Sequence, residues 1–187
     1  MSGMEIAANV FSAGSVVLAG LNRVHTWWVG IVACMLFGWV FYEANLYADV
    51  TLQLFYIVTN AIGWWSWLRG GGQGDALPVR RTQPAALAGM LAGGVAVTGA
   101  YGWLLHRFTD AYAPFVDSAV MAFSVVAQLL LMRRRYETWW FWLLVNTICV
   151  PLYLSRGLGL TAVLFAAFWV NAAVALVRWR RLVQPAA

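Results

Sequence analysis

Apolar residues along this chain fall into seven long runs separated by short polar or charged breaks. The runs lie near Ile6–Leu21, Trp27–Tyr42, Ala48–Leu68, Pro84–Leu105, Pro114–Met132, Trp139–Leu154 and Leu158–Val177. The breaks carry turn and charge signals: Asn22-Arg23, Glu43-Ala44-Asn45, the Gly70–Gly74 stretch with Pro78, Arg80 and Arg81, His106–Asp110, Arg133–Glu137 and Ser155-Arg156-Gly157. A helix crossing the hydrocarbon needs about 17–25 mostly apolar residues. Each run is therefore read as one span, the first, second and sixth at the short limit. The pattern predicts an all-α membrane protein of seven transmembrane helices.

Three of these runs are not uniformly apolar. The third carries Asp49, Gln53, Tyr56, Asn60, Trp64 and Trp67 at spacings of three and four, which places all six on one helical face. The sixth repeats the motif with Trp139, Trp142, Asn146, Cys149 and Tyr153, and the fifth with Asp117, Met121, Ser124 and Gln128. A central carboxylate costs roughly 2.5–3.5 kcal/mol on insertion scales, so lipid-facing helices do not carry such rows.

Composition changes the picture in one respect. Of 187 residues, 63% are hydrophobic and 10% charged, with a mean hydropathy of +0.72. A soluble domain is about 25% charged, so lipid is the solvent for most of this surface. The net charge of +5 comes from arginine alone, for there is no lysine. The arginines stand between apolar runs rather than in one patch, which speaks for membrane topology and against nucleic acid. With the N-terminus outside, the inner segments hold Arg23; Arg69, Arg80 and Arg81; Arg133, Arg134 and Arg135; and Arg178, Arg180 and Arg181. The outer segments hold only Arg107 and Arg156. The positive-inside rule then predicts N-outside and C-inside. No signal peptide is read at the N-terminus, which carries Glu5 and lacks a positive n-region. Cys34 and Cys149 both fall in apolar runs and are expected to be inert thiols rather than a disulfide.

A shift of 112 residues aligns Phe11-Ser12 with Phe123-Ser124, Leu18 with Leu130, Arg23 with Arg135 and Thr26-Trp27-Trp28 with Thr138-Trp139-Trp140. Further along, Trp67 meets Trp179 and Arg69 meets Arg181. The expected division is a first three-helix repeat over 1–69, a loop with linker helix four over 70–113, and a second three-helix repeat over 114–187. Two like-oriented triplets joined by a crossing helix (3+1+3) form a parallel repeat, one of the two repeat schemes of secondary transporters, with substrate near the midplane at the repeat interface.

Stacked indoles beside amides suit a flat ring, neutral or cationic, bearing hydroxyls. The candidate substrate-binding residues are Gln53, Asn60, Trp64, Trp67, Asp117, Trp142 and Asn146, with Asp49, Tyr56 and Trp139 as additional candidates. Plainer readings stand beside this one. Tryptophans at helix ends form interfacial belts, membrane amides serve as interhelical glue, and Asp49 and Asp117, near outer helix ends, can simply reach water. No arginine lies within a span to pair a phosphate, which disfavours phosphorylated ligands. An enzyme is not expected: His25 and His106 read as loop residues, and no Gly-x-Ser-x-Gly or His-Glu-x-x-His element occurs. Without a P-loop the chain does not itself hydrolyse ATP, and without lysine a retinal Schiff base cannot form. Neither a cofactor nor a metal is called for. A non-transporting membrane subunit is the alternative from another class.

Leu46-Tyr47-Ala48-Asp49 with Gln53, Phe55, Asn60, Gly63-Trp64 and Trp67 resembles the span-three signature of the PnuC family of bacterial vitamin-precursor transporters. Pro114-Phe115, Asp117-Ser118, Glu137 and the Trp139-x-x-Trp142-x-x-x-Asn146 element are similar to a second signature, and Phe37-Gly38 adds to the likeness. The chain departs from that pattern at Ala33 and Ala175, where an Asn and a Gly are expected. The resemblance implies a seven-helix core in the bacterial inner membrane and facilitated diffusion of nicotinamide riboside, trapped by a cytoplasmic vitamin kinase. Similar relatives carry thiamine or riboflavin. Self-association into a homo-oligomer is left open.

Overall fold

A computed structural model describes residues 3–43, 47–69, 78–108, 113–155 and 159–183. These form seven helices: α1 (Gly3–Gly20), α2 (His25–Glu43), α3 (Tyr47–Arg69), α4 (Pro84–Phe108), α5 (Pro114–Met132), α6 (Thr138–Ser155) and α7 (Gly159–Leu182). Among the described residues no strand forms, and a single parallel bridge joins Arg80 to Arg135. Proline opens α4 and α5, where its missing N–H would have had no intrahelical partner anyway.

The helices follow the apolar runs, with differences at the ends. His25 opens α2 and His106 lies in the last turn of α4, so both expected loop histidines are helical. Helix α7 runs beyond Val177 through Arg178, Arg180 and Arg181. Arginine is a good helix former, and cations are favourable at a helix C-terminus. Among the described residues, four helices are long and apolar enough to cross a membrane: Pro84–Phe108, Pro114–Met132, Thr138–Ser155 and Ala162–Leu182. Ile6–Gly20 and His25–Val40 are apolar but shorter. Helix α3, at 23 residues, is long enough, but its polar row dilutes it.

Two compact units result. The first comprises Met1–Pro78 with Met132–Arg134; the second comprises Val79–Leu131 with Arg135–Ala187. In the first, α1 is tied to α2 by Thr26, whose hydroxyl donates to the Ser15 carbonyl at 2.8 Å while Ser15 Oγ donates to the Thr26 carbonyl at 2.8 Å. Helix α2 meets α3 where the Trp27 indole lies in the space that a Cβ at Gly63 would need. Trp27 and Trp67 pack edge to face with centroids 5.2 Å apart.

The second unit has its core at Phe123, Ala127, Leu130, Phe141, Val145 and Cys149, with Leu87, Met90 and Phe165 against it. Gly94 of α4 admits the Phe123 ring, which a side chain there would exclude. Thr138, fully buried, donates from its hydroxyl to the Ala127 carbonyl at 2.8 Å. Trp139 and Trp179 pack edge to face at 5.4 Å.

Several of these details recur 112 residues apart. Thr26 to Ser15 matches Thr138 to Ala127, and Trp27 with Trp67 matches Trp139 with Trp179. The Arg23 N–H bonds the Leu18 carbonyl as Arg135 bonds Leu130, both at 2.9 Å. Asn22 and Arg134, again 112 apart, both hold left-handed backbone, at φ 58° and 51°. Asparagine tolerates that region; arginine adopts it at some cost.

Candidate functional site

The α3 row is placed as a graded set. Gln53 and Tyr56 are half-buried, Asn60 is 9% exposed, Trp64 is 37% exposed and Trp67 only 1%. The side chain of Asp49 lies outside the described residues. Asn60 is partly engaged inside its own unit: its Nδ2 donates to the Tyr56 carbonyl at 2.8 Å and approaches Cys34 Sγ at 4.0 Å. A Cβ at Gly30 would sit 2.9 Å from Asn60 Oδ1 and 3.1 Å from Ser15 Oγ, so glycine makes the room for this amide. Gln53 forms no hydrogen bond with any described residue.

Trp67 has both its flank and its face occupied. Trp27 meets it edge-on, and the Arg134 guanidinium lies over its ring at 4.3 Å from the centroid. Arg134 is 8% exposed and its Nε donates to Asn22 Oδ1 at 2.9 Å. Burial pushes the Arg134 guanidinium below its ordinary value, though arginine keeps its charge throughout the physiological range. An internal cation thus takes the ring face that a cationic ligand would use.

In the second unit the residues also differ in commitment. Trp139, 2% exposed, belongs to the pair with Trp179, whereas Trp142 is half-buried against the core. Asp117 stands half-buried in the first turn of α5, where a carboxylate complements the helix dipole. Asn146 is 3% exposed, and its amide makes no hydrogen bond with any described residue. Gln128 of α5, at 6% exposed, is likewise without one. Ala33 and Ala175, the two departures, are both buried, at 4% and 1%.

The role of Arg134 was not legible from charge counting, which treats loop arginines only as markers of sidedness. The available signal was the 112-residue register, which sets Asn22 against Arg134. Cys34 and Cys149 are free thiols, half-buried and buried respectively.

Residues 2–181 match the family model described as nicotinamide mononucleotide transporter. The chain is 27% identical over 185 residues to the nicotinamide riboside transporter PnuC of Escherichia coli strain K12, covering 84% of this chain and 76% of that one. It is 23% identical over 178 residues to the riboflavin/roseoflavin transporter RibM of Streptomyces davaonensis, covering 94% of this chain and 81% of its relative. Among solved structures, the crystal structure of the vitamin B3 transporter PnuC shares the fold, with a TM-score of 0.73 at 23% identity over 96% of this chain and 81% of that chain.

Proposed function

This chain belongs to the nicotinamide mononucleotide transporter family, and we propose that it is a uniporter for nicotinamide riboside. It is a multi-pass membrane protein, and the proposal sets it in a bacterial inner membrane with seven spans, N-outside and C-inside. The 3+1+3 division over 1–69, 70–113 and 114–187 is part of the same reading, supported by the details that recur at one spacing. Substrate binds between the two repeats, one repeat rocks against the other to alternate access, and a cytoplasmic vitamin kinase traps the product by phosphorylation.

The observation that carries the reading is Asn146. A buried amide with no described partner, on a membrane helix, has donors and an acceptor that a carboxamide or sugar hydroxyl satisfies. Gln53 and Gln128 offer the same chemistry, Asn60 retains its Oδ1, and Trp64 and Trp142 supply ring surface. Asp117, and Asp49 with it, supplies a carboxylate towards a cationic ring. Tyr56, Trp67 and Trp139 support these residues through their packing. The absence of arginine from the middle of every helix favours the riboside over the mononucleotide of the family description.

The direct test is titration of the purified protein with nicotinamide riboside, read by thermal stabilisation and tryptophan emission, then uptake by the protein alone in liposomes. Saturable binding with uptake that needs no ion gradient is the expected result. Binding without uptake would move the chain to the class of non-transporting subunits. Riboflavin is the second reading, favoured by the likeness to RibM. Thiamine, the third candidate from the resemblance, belongs in the same titration. Uptake that follows an imposed pH gradient would instead implicate proton coupling through Asp49 or Asp117.

A further inference from the structure

We propose that an anionic glycerophospholipid docks on the second unit at the start of α4 and α6, its phosphate held by Arg80 and Arg81 and an acyl chain in the groove beside them. The groove is lined by Leu87 and Leu91 of α4 and by Trp140, Phe141 and Leu144 of α6, with Glu137 at its end; its volume is about 210 Å³. Both helices are long and apolar enough to cross a membrane, so the proposal sets the mouth of the groove against lipid.

The level of the headgroups is marked on the same surface. Trp140 is 55% exposed in the first turn of α6, and its indole Nε1 reaches the Tyr136 hydroxyl at 3.4 Å. Exposed Trp and Tyr at a helix end sit at the membrane–water interface. The groove residues one and two turns further in therefore lie at acyl depth.

The basic segment is fixed beside this level by its backbone, which leaves its side chains outward. Tyr136 N–H donates to the Arg80 carbonyl at 3.2 Å, and Arg135 Nη1 donates to the Arg81 carbonyl at 2.5 Å. Glu137 Oε2 accepts from Thr82 N at 3.0 Å and Thr82 Oγ1 at 2.8 Å. This carboxylate is 6% exposed and its Oε2 is taken up by Thr82; two arginines against this one carboxylate leave the end of the groove net positive. The side chains of Arg80 and Arg81 are exposed, and the Arg81 guanidinium lies 5.6 Å from the Tyr136 ring centroid. Stacking uses the face of the guanidinium and leaves its in-plane N–H edge for phosphate oxygens. Basic residues beside a cleft between membrane helices recognise anionic headgroups. Free phosphate would meet the same arginines but gain nothing from the apolar groove.

The test uses the full chain purified in detergent, with native mass spectrometry of bound lipid after adding phosphatidylglycerol or phosphatidylcholine. Wild type is expected to retain phosphatidylglycerol preferentially, unaffected by millimolar inorganic phosphate. Arg80→Gln with Arg81→Gln should lower that retention about 25-fold, some fivefold per arginine. Leu91→Trp, which fills the groove, should reduce retention of both lipids, while Arg107→Gln at the far end of α4 should leave retention unchanged. Equal retention of the two lipids, or a preference untouched by the double arginine variant, would mean an unselective lipid annulus and overturn the proposal. Displacement by phosphate alone would reduce the site to an anion patch and overturn it equally. The arginine variants alter exposed side chains whose backbone contacts persist, so they fold even where Leu91→Trp does not.

Discussion

Arg134 lies over the indole of Trp67, 4.3 Å from the ring centroid. Since its Nε also donates to Asn22, this side chain ties the turn before α2 to the end of α3 within the first unit. Cation–π attraction reaches about 2 kcal/mol when desolvated, and a hydrogen bond from a charged donor contributes about 1.5–3 kcal/mol. Because removing a buried charge also recovers part of its desolvation cost, Arg134→Gln is expected to destabilise the protein by about 2–4 kcal/mol, somewhat less than the sum of the two. Arg134→Lys, which keeps the charge but loses the planar face, should recover less than half of the loss. Thermal unfolding in detergent checks both.

The two threonine straps are expected to give losses of the same order. Thr138→Val removes the 2.8 Å bond to the Ala127 carbonyl and Thr26→Val the 2.8 Å bond to the Ser15 carbonyl. Each should cost about 1–2 kcal/mol. Because the Ser15 hydroxyl still reaches the Thr26 carbonyl, the second loss should be the smaller. Parallel melts of the two variants measure the difference.

Asn146 and Asn60 should separate under the same substitution. Asn146→Leu removes no internal hydrogen bond, so the ligand-free protein should melt no lower than wild type while affinity for nicotinamide riboside falls at least tenfold. Asn60→Leu breaks the bond to the Tyr56 carbonyl and crowds Gly30, so affinity and melting temperature should fall together. Ligand titration beside ligand-free melts decides. Unchanged affinity in Asn146→Leu would remove that residue from the binding site.

Glycine substitutions should split by location. Gly63→Ala would drive a Cβ into the Trp27 ring, an overpacking cost of about 1–3 kcal/mol. Gly89 and Gly93 of α4 have nothing within 4 Å of an added Cβ. Gly89→Ala should be neutral or stabilising by up to about 1 kcal/mol through helix propensity. Melting curves of the single variants test the contrast.

The apolar runs located the helices well because length and hydropathy are properties of each segment alone. Pro114–Met132 was delimited to the residue by its opening proline and closing arginines. Partner choice was less legible. Trp67 and Trp64 stand three residues apart on one face and read alike, yet one is sealed beneath Arg134 and the other is over a third exposed. What separates them is the missing side chain at Gly63, which lets Trp27 in, and that is a property of two helices together. The tie from Thr82 to Glu137 spans 55 residues and leaves no periodic trace.

The edge-to-face indole pairs have an optical consequence. Trp27, Trp67, Trp139 and Trp179 are each no more than 2% exposed, so all four report a dry surrounding whatever the solution contains. Their emission forms a fixed, blue-lying background. A spectral change on adding substrate must then originate elsewhere among the twelve tryptophans, with Trp64 and Trp142 the natural sources, and replacing those two with phenylalanine silences the signal without touching either pair.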